Sequence, residues 1–383
     1  MSSIKPSYDL FIFAGEASGD AIGAYLIESL LELTPSLKIG AVAGPRMRKH
    51  PIQTLYPTEQ FQVMGFVDVF KNLPKLLKLF KSIKSHLLKF SPQAIVLIDY
   101  PGFNLRLARH LRKFGYKNAL IQYVSPSVWA WKKGRIKTLC ETLDLLLCIF
   151  PFEKKCFTNT SLHVEYIGHP LLAEMNKPSL PNPIPKLDKP LFTIFPGSRA
   201  SEIKKNLPLQ LKAAIELHKD RYQLAISYAN NSLLPLIQKE INQYPTENIL
   251  LFSGQYNTYF MQKTAIAFAT SGTITLELAL HQVPTLVTYA MQPFDCFLAK
   301  YVFRIKLPHY CIANYVAESR IFPEFYGPDF NKKTLYKLLS FLLETPQERQ
   351  LCKQKCLLVK KALYEPNPSF TAAQHVLNFI KNT

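Results

Sequence analysis

The feature of this sequence that most constrains its fold is a regular alternation of short apolar runs with longer amphipathic stretches. A short apolar run bounded by turn residues fits a buried strand, and the amphipathic stretches repeat at helical spacing. In the first half, the predicted strands are 8–14, 37–43, 93–99, 118–124, 143–150 and 164–168, and the predicted helices are 21–34, 73–90 and 104–114. Such an alternation predicts a parallel sheet with helices on both of its faces.

A proline-rich segment interrupts this pattern at residues 177–190. Its prolines at 178, 181, 183, 185 and 190 leave room for neither a helix nor a central strand, so it is predicted to be a linker. The alternation then restarts, with strands at 191–195, 222–228, 249–252, 265–269 and 285–289, helices at 206–218, 233–243 and 273–281, and a helical tail over 332–382. Because a chain of 383 residues also favours two domains over one, we expect an α/β protein with two Rossmann-like halves.

The charge of the chain indicates an anionic partner. Lys and Arg number 46 against 27 Asp and Glu, a net charge of +19, yet only 19% of the residues are charged, so the excess comes from scarce acids. This argues against a polybasic low-complexity protein, and the 48% hydrophobic content excludes a disordered chain. Nucleic acid, an anionic membrane and phosphorylated substrates would each suit a positive surface.

The cysteines and the apolar segments bear on the compartment. The seven cysteines include no C-x-x-C pair, and their odd number favours free thiols in a reducing compartment over a disulfide framework. The apolar run at 10–14 leads directly into a glycine turn, which predicts a strand rather than a signal peptide. The weakly charged stretch at 264–294 contains enough polar residues to predict core structure rather than a membrane span.

The loop after the first predicted strand, residues 15–20 (GEASGD), carries two carboxylates between glycines. It does not match the dinucleotide pattern G-x-G-x-x-G, and Glu16 and Asp20 would repel a pyrophosphate. Sugar hydroxyls are therefore the better ligands for this loop. The alternative is that Ser18 or Asp20 only caps the helix that follows.

A further carboxylate, Asp99, ends the buried apolar strand that includes residues 94–98. Ligands of open α/β sheets bind beyond the carboxyl ends of the strands, which makes this position a candidate site. A carboxylate at the mouth of an apolar strand can have a raised pKa and act as a general base, and Pro101 and Gly102 predict a turn that aims Asp99 into a crevice. The alternative is an Asx-turn that stabilises the loop.

Two loops of the second half are candidates for binding phosphate. In residues 196–199 (PGSR), Gly197 and Ser198 are expected to expose backbone N–H groups near a helix start, and Arg199 adds a fork of donors. The alternative here is a chance turn. In residues 270–277 (TSGTITLE), Gly272 and small hydroxyl residues precede a helix whose dipole favours an anion, and Glu277 could accept two ribose hydroxyls.

For the second of these loops the alternative is an ordinary capping box, with Ser271 or Thr273 as the cap. No D-x-D sequence occurs in the chain, so a metal-chelated diphosphate is not expected. The helix dipole and Arg199 would then have to stabilise the diphosphate charge.

The segment 70–90 predicts a helix with a stripe of lysines. Leucine and phenylalanine side chains recur at helical spacing beside lysines at 75, 78, 81 and 84. A basic amphipathic helix of this kind suits an anionic membrane surface, and the alternative is a core helix with a solvated lysine face. On another loop, Trp129 and Trp131 could stack on a sugar or anchor a hydrophobic group, or else pack on a helix.

Together these loops resemble those of the lipid-A-disaccharide synthase family. The segments FAGEASGD, VMGFVDV, IDYPGFN, YVSPSVWAW, YIGHPL, FPGSRASEI and SGTITLE occur in the family's order between about residues 10 and 330. Several of these motifs are specific to the family, whereas SGT-x-x-LE is shared by many nucleotide-sugar glycosyltransferases. The resemblance implies the GT-B fold, in which two Rossmann-like domains have a cleft between them, and an inverting glycosyltransferase.

The reaction implied by the resemblance joins two acylated sugars. The donor would be UDP-2,3-diacylglucosamine and the acceptor 2,3-diacylglucosamine 1-phosphate (lipid X), giving the β-1,6-linked tetraacyl disaccharide 1-phosphate and UDP. Neither a cofactor nor a metal is implied, and no motif for nucleic-acid recognition is present. The implied location is cytoplasmic, peripherally associated with the anionic surface of the inner membrane, and a homodimer is compatible with the sequence.

The resemblance also implies site residues, although Ala313 stands where the family usually has Pro and Gly327 where it usually has Gln. The predicted catalytic residues are Asp99, Glu16 and Arg199. The predicted UDP-sugar-binding residues are Gly197, Ser198, Arg199, Ser271, Gly272, Thr273, Glu277 and Asn314. The predicted acceptor- and membrane-binding residues are Ser18, Asp20, Met64, Lys75, Lys78, Phe80, Lys81, Trp129 and Trp131.

The expected domain organisation follows from the same patterns. Residues 1–177 would form the acceptor- and membrane-binding domain, 178–190 the linker and 191–345 the UDP-sugar-binding domain. The helices of 346–383 would pack back on the N-terminal half or on a partner subunit. Two rival functions remain open at this point: a UDP-sugar epimerase of the same fold, and a non-catalytic membrane-associated binder of nucleotide sugars.

Overall fold

The computed structural model describes residues 8–61, 66–131, 133–175, 187–218, 221–244, 249–292, 296 and 307–381. The chain forms two compact units, the first from residues 1–173 and 365–383 and the second from residues 174–364. Met64 and residues 178–186 of the predicted linker lie outside the described residues.

The first unit contains a seven-stranded parallel sheet. Its strands are β1 (Leu10–Ala14), β2 (Ile39–Ala43), β3 (Gln53–Pro57), β4 (Ala94–Ile98), β5 (Ala119–Tyr123), β6 (Leu145–Cys148) and β7 (His163–Tyr166). They are arranged in the order β3-β2-β1-β4-β5-β6-β7, and Ile12 of β1 pairs with Ala41 of β2 and with Val96 of β4. The order reverses at β1 and β4, so the crevice for ligands is expected at their carboxyl ends.

Helices cover both faces of this sheet. The helices of the first unit are α1 (Ala17–Leu33), α2 (Phe66–Phe90), α3 (Pro101–Lys113), α4 (Arg135–Thr142), the boundary helix α5 (Pro170–Met175) and the C-terminal helix α13 (Pro368–Lys381). Alternate residues of β1 face opposite layers, because side chains alternate along a strand. Ile12 packs with α1 and α13, whereas Phe13 packs with α2, α3 and α4.

The second unit contains a six-stranded parallel sheet of the same kind. Its strands are β8 (Leu191–Phe195), β9 (Gln223–Tyr228), β10 (Leu250–Ser253), β11 (Thr264–Thr270), β12 (Thr285–Tyr289) and β13 (Glu324–Tyr326), in the order β10-β9-β8-β11-β12-β13. The order reverses at β8 and β11, which are paired with each other. This pair is therefore the second expected ligand position.

The helices of the second unit are α6 (Ala200–His218), α7 (Leu234–Ile241), α8 (Asn257–Lys263), α9 (Ile274–Leu280), α10 (Ile312–Val316), α11 (Lys332–Glu344) and α12 (Pro346–Leu363). Helices α6 and α11 pack together over one core layer, and α12 packs on α9. Cys352 and Cys356 of α12 are buried free thiols. Within the described part of the chain, no helix has the length and apolarity needed to cross a membrane.

The predicted α/β architecture with two Rossmann-like halves is confirmed, although the short helices α4, α5, α8 and α10 were not predicted and several helices start earlier than predicted. Helix α1 begins at Ala17, α3 at Pro101 and α6 at Ala200, each several residues before the predicted start. Small residues and proline are well tolerated in the first turn of a helix, so segments predicted to be loops belong to helices. The two strands missed by the prediction, β3 and β13, lie at sheet edges.

The C-terminal helices divide between the units. Helix α13 packs on α1 in the first unit, whereas residues 346–363 form α12 in the second. The chain thus passes from the first unit to the second after residue 173 and returns to the first after residue 364. The prediction had instead treated residues 346–383 as one segment.

Candidate active site

Two of the predicted carboxylate positions lie together at the carboxyl ends of β1 and β4. Gly15 and Glu16 follow β1, and Asp99 follows β4, its direct neighbour in the sheet. The Ser18 hydroxyl, in the first turn of α1, donates a hydrogen bond of 3.5 Å to Oδ2 of Asp99. The sequence therefore identified a real cluster at the point where the strand order of the first sheet reverses.

The backbone at Asp99 adopts a conformation that non-glycine residues rarely have. Asp99 and Tyr100 have φ angles of 48° and 45°, both in the left-handed region. Such residues cost about 1–3 kcal/mol each and persist only where the surroundings hold them. The Asp99 carbonyl accepts hydrogen bonds from the side chains of Asn104 and, at 3.1 Å, Gln122, and its N–H donates to the Tyr123 carbonyl at 2.9 Å.

The Asp99 carboxyl group is suited to accept a proton. Partial burial raises its pKa above the usual range for aspartate, while hydrogen bonds from the Tyr100 backbone and the Ser18 hydroxyl oppose this rise. A raised pKa makes a carboxylate a stronger base, provided that it is still ionised at the working pH. The Asx-turn alternative describes the side chain only in part, since its carboxylate accepts a hydrogen bond from the Ser18 hydroxyl of α1 as well as one from the Tyr100 backbone.

Glu16 lies on the same rim as Asp99. It is the exposed N-cap residue of α1 and makes no side-chain capping hydrogen bond. Burial is the main cause of the raised pKa of Tyr100, and the negative charge of Glu16 adds to it. Gly15 is required at this point, because a Cβ there would come within 2.7 Å of Cδ1 of Tyr100.

Asp20 has a different role from the predicted one of binding the acceptor. Its side chain is buried, and its two oxygens accept hydrogen bonds from the backbone N–H groups of Gly44 (2.8 Å), Arg46 (2.8 Å) and Met47 (3.0 Å). A Cβ at position 44 would lie 2.4 Å from Cγ of Asp20, so only glycine fits there. The carboxylate anchors the loop after β2, which is a structural function.

The two predicted phosphate loops meet at the carboxyl ends of β8 and β11. The Thr270 hydroxyl at the end of β11 donates a hydrogen bond of 2.8 Å to the carbonyl of Pro196, which follows β8. A cavity of about 450 Å³ opens beside this contact. Its lining includes Gly197, Ser198, Arg199, Ser271, Gly272, Thr273 and Glu277, which are all of the predicted UDP-sugar-binding residues except Asn314.

In the loop after β8, the predicted donors already have a partner within the chain. Oε2 of Glu202 accepts hydrogen bonds from the N–H groups of Ser198 (3.0 Å) and Arg199 (3.3 Å), and Oε1 accepts one from Nη1 of Arg199 (3.2 Å). The expectation of an exposed N–H group is therefore wrong for Ser198 in this conformation. The Arg199 side chain is mostly exposed, so its remaining guanidinium donors are accessible in the cavity.

The loop after β11 has hydroxyl groups at the start of α9. Thr273 is the N-cap residue, yet its side chain makes no capping hydrogen bond, so the capping-box alternative does not describe this loop. The Tyr326 hydroxyl donates to Oγ of Ser271 at 2.9 Å, which holds Ser271 at the rim of the cavity. Glu277 lies one turn into α9 and also lines the cavity.

Asn314 is the predicted residue that the structure separates from this cavity. It is fully buried, its Oδ1 accepts hydrogen bonds from the N–H groups of Ile321 (3.0 Å) and Phe322 (2.8 Å), and its Nδ2 donates to the Phe322 carbonyl (2.8 Å). This placement gives Asn314 a structural role instead of the predicted contact with the nucleotide. Gly327, one of the two departures from the family pattern, has a φ angle of 53°, which disfavours a larger residue there.

The sequence analysis missed three residues that line the cavity. Glu202 occupies the third position of α6, where an acidic residue commonly accepts backbone N–H groups, and this pattern could have revealed it. Ser227 lies near the carboxyl end of β9 and Asn257 follows β10, and the Ser227 hydroxyl donates to Oδ1 of Asn257 at 2.8 Å. The rule that ligands bind beyond the carboxyl ends of strands would have drawn attention to both.

The lysine-striped helix α2 packs its apolar side against the sheet. Leu79, Ile83 and Leu87 are buried in the core of the first unit, and Phe80 packs edge-on against Phe103 at 5.3 Å between ring centres. This packing leaves those apolar side chains unavailable for insertion into a bilayer and places Phe80 on the core side. The lysines predicted to contact the membrane are exposed, namely Lys75, Lys78 and Lys81.

The two tryptophans lie in different surroundings. Trp129 is half-buried and packs edge-on against Phe152, with 5.2 Å between ring centres. Trp131 is exposed, and the Arg135 guanidinium lies 5.8 Å from the centre of its ring. Trp131 is therefore the more accessible of the two for a ligand.

Comparison with known proteins identifies the family of this chain. A family model described as lipid-A-disaccharide synthetase matches residues 10–374. A lipid-A-disaccharide synthase of Chlamydia pneumoniae is 36% identical over 356 residues, covering 90% of this chain and 59% of the relative. One of Coxiella burnetii is 32% identical over 383 residues, covering 97% of this chain and 98% of the relative. The chain thus spans about three fifths of the length of the first of these relatives.

Solved structures agree on the fold. A UDP-GlcNAc 2-epimerase from Neisseria meningitidis, in a structure bound to UDP-GlcNAc, superposes with a TM-score of 0.59 at 13% identity, covering 98% of this chain and 99% of the other. The calicheamicin glycosyltransferase CalG4 gives a TM-score of 0.55 at 12% identity, with coverages of 98% and 99%. At such identities these likenesses concern the fold, which is the GT-B fold. From the match of the family model, the chain belongs to the lipid-A-disaccharide synthetase family.

Proposed function

We propose that this protein transfers 2,3-diacylglucosamine from its UDP derivative to the 6-hydroxyl of 2,3-diacylglucosamine 1-phosphate. The products would be the β-1,6-linked disaccharide 1-phosphate and UDP, formed with inversion at the anomeric carbon. The observation that carries this proposal is the pairing of Ser18 and Asp99 at the reversal of strand order in the first sheet, together with membership of the family. Asp99 is the general base and the cavity beside Arg199 holds the donor.

The UDP part of the donor binds in the cavity between the loops after β8 and β11. The diphosphate is suited by the hydroxyls of Ser271 and Thr273 and by the partial positive charge at the start of α9. The sequence contains no D-x-D motif that would bind a metal ion to the diphosphate. The Glu277 carboxylate is positioned further along α9 to accept the ribose hydroxyls. Arg199 supplies a full positive charge to the leaving group.

The chemical step is a single displacement. The Asp99 carboxylate takes the proton of the acceptor 6-hydroxyl, and the oxygen forms a bond to the anomeric carbon of the donor. The bond from that carbon to the diphosphate oxygen breaks on the opposite face, and UDP leaves with the electron pair. Negative charge grows on the diphosphate during this step, and Arg199 stabilises it more strongly in the transition state than in the ground state.

Glu16 assists on the acceptor side. It is exposed and follows β1 as Asp99 follows the neighbouring strand β4, and its carboxylate can accept a hydrogen bond from a sugar hydroxyl there. We therefore assign proton removal to Asp99, whose side chain is the more buried, and sugar orientation to Glu16.

The protein is further proposed to work at the inner membrane surface, where both lipid substrates would be met. Exposed Lys75, Lys78 and Lys81 on α2 offer an electrostatic contact with anionic headgroups, worth about 1 kcal/mol each near such a surface. Leu77, between them, is half exposed and adds a small apolar contact. This contact lies on the surface of the bilayer and is screened by salt.

One assay separates this function from its rivals. The protein is incubated with donor and acceptor in detergent, and UDP and disaccharide are measured over time. The proposal requires the two products in equal amounts and UDP release only when the acceptor is present. Release of UDP or epimerisation of the sugar without acceptor would indicate an epimerase, and no turnover with both substrates would indicate a non-catalytic binder.

A further inference from the structure

A second cavity, of about 300 Å³, lies in the first unit beside the start of α3. Three arginines line it, Arg106 and Arg109 from α3 and Arg135 from the start of α4. Pro101 and Gly102, in the first turn of α3, form the end of the cavity that is nearest in the chain to Asp99. We refer to this feature as the arginine cavity.

The arginines converge because two helices pack side by side. Arg106 and Arg109 are three residues apart on α3 and so share one face of that helix, which packs on α4. The guanidinium group of Arg109 donates a hydrogen bond to the hydroxyl of Thr138 on α4, and the guanidinium of Arg135 lies over the ring of Trp131. Two of the three side chains are therefore held in place by the protein itself.

The arginine cavity has no internal countercharge. Among the described residues, no carboxylate lies within ion-pair distance of its three arginines. Arg112 on the same helix differs, since it pairs with Asp144 and donates to the carbonyls of Tyr116 and Asn118. A concave group of unpaired guanidinium groups is well suited to an anion with several oxygens, and above all to phosphate.

We propose that the arginine cavity binds the phosphate group of the acceptor glycolipid, an inference that rests on the transfer reaction proposed above. In that acceptor the reacting hydroxyl and the phosphate lie at opposite ends of one sugar ring. Asp99 lies two residues before α3 begins at Pro101, and Arg106 lies five residues after Pro101, about 7.5 Å further along the helix axis. An acceptor whose hydroxyl is at Asp99 can thus extend along α3 with its phosphate among the arginines.

An anionic phospholipid headgroup has the same chemistry, so the source of the phosphate must be distinguished. The acceptor carries a phosphate monoester, whose charge near neutral pH is about −1.5 to −2, whereas most phospholipid headgroups are diesters with a single charge. Three guanidinium groups in one cavity match the more highly charged group. The lining also begins at Pro101, two residues after the base in the chain, and includes none of the lysines of α2, which favours the acceptor.

The test compares binding of the acceptor with binding of the same diacylglucosamine without its phosphate, both in detergent micelles. Equilibrium dissociation constants are measured for the wild type, for Arg106→Gln/Arg109→Gln and for Arg135→Gln. Lys113→Gln, an exposed residue of α3 outside the cavity, is the matched control, and Arg106→Lys/Arg109→Lys tests for rescue by charge. Because this assay needs no turnover, it reports on the cavity even if no disaccharide is formed.

We expect the wild type and Lys113→Gln to bind the phosphorylated acceptor more tightly than the acceptor without phosphate. The double Gln variant should weaken that binding by roughly 10- to 100-fold, as for the loss of charge-assisted hydrogen bonds, and leave binding of the acceptor without phosphate unchanged. Arg135→Gln should act in the same direction, and the lysine variant should recover part of the effect. Equal binding of the two acceptors by the wild type, or an equal loss for both in the variants, would overturn the assignment.

Vesicles of phosphatidylglycerol provide the second arm of the test. If the Gln variants lose vesicle binding but still prefer the phosphorylated acceptor, the cavity serves the membrane and the proposal is wrong. If vesicle binding is unchanged while the preference for phosphate disappears, the acceptor assignment is supported. Absence of disaccharide formation by the wild type would refute the transfer reaction itself, and the binding constants would still show whether the cavity recognises phosphate.

Discussion

The hydroxyl of Thr270 donates a hydrogen bond of 2.8 Å to the carbonyl oxygen of Pro196 and so joins the two loops of the donor cavity. Thr270 ends β11 and Pro196 follows β8, the two strands at which the order of the second sheet reverses. The contact therefore links the loop that carries Arg199 to the loop that carries Ser271.

Replacing Thr270 with Val should therefore loosen the donor cavity. The change keeps the shape but leaves the Pro196 carbonyl without this donor, so the free energy of unfolding should fall by about 1–2 kcal/mol. The KM for the UDP-sugar should rise several-fold, with a smaller effect on the KM for the acceptor. Denaturant unfolding and steady-state kinetics measure both effects. Thr270→Ser, which keeps the hydroxyl, is the control, and identical behaviour of the Val and Ser variants would disprove the role of the hydrogen bond.

Replacing Ser18 with Ala should shift the pH dependence of the reaction. The base must be ionised, so the rate falls as the pH drops through the pKa of Asp99. The hydrogen bond from Ser18 lowers that pKa, and its loss should raise it, moving the acidic limb of the kcat/KM profile to higher pH. Ser18→Thr retains a hydroxyl and should keep the profile of the wild type. An unchanged limb in the Ala variant would show that Ser18 does not act on the base.

Replacing Asp20 with Asn should affect stability and not catalysis. The Asn amide would point N–H groups at backbone N–H groups of the Gly44–Met47 loop, so we expect a loss of about 2–3 kcal/mol in the free energy of unfolding. At a temperature where the variant is folded, kcat should stay within about twofold of the wild type. Asp9→Asn is the matched control, since Asp9 accepts a single described backbone hydrogen bond, from Lys38. A large fall in kcat with unchanged stability would instead support the predicted role of Asp20 in binding the acceptor.

Replacing Glu202 with Gln should strengthen binding of UDP. The Glu202 carboxylate accepts hydrogen bonds from the N–H groups of Ser198 and Arg199 and from the Arg199 guanidinium. The proposed diphosphate would compete with the carboxylate for these donors. A neutral Gln can still accept a backbone hydrogen bond but no longer repels an anion. We expect the dissociation constant of UDP, measured by calorimetry, to fall by roughly 3- to 10-fold. Weaker binding would mean that the charge of Glu202 serves mainly to hold Arg199 in place.

The positions of the candidate site were predictable because they depend on local pattern and on sheet topology. Asp99 follows an apolar strand of the first sheet, and Arg199 and Ser271 follow apolar strands of the second. Within each sheet, the parallel strands bring their carboxyl ends to one edge. The starts of α1 and α3 were predicted too late, because Ser18, Gly19, Pro101 and Gly102 are typical of turns as well as of first helical turns. The edge strand β3 was missed, since its half-exposed residues have little apolar pattern.

The individual roles of polar residues were harder to predict. Asp20 bonds to a loop more than twenty residues away, and Asn314 to a turn seven and eight residues further on. Neither distance has a periodic signature in the sequence, so a buried polar anchor and an exposed ligand-binding residue look alike there. The lysine stripe of α2 had two interpretations for a related reason, since an apolar helix face can pack on a sheet or on lipid.

The central claim is that Asp99 is the general base of the transfer reaction, and Asp99→Asn tests it most directly. The variant should fold at least as stably as the wild type, because burial raises the pKa of Asp99 and its ionisation above that pKa disfavours the folded state. With both substrates saturating, the rate of disaccharide formation should fall on the order of 10²–10⁴-fold, with the dissociation constant of UDP unchanged. A rate within tenfold of the wild type would contradict the account.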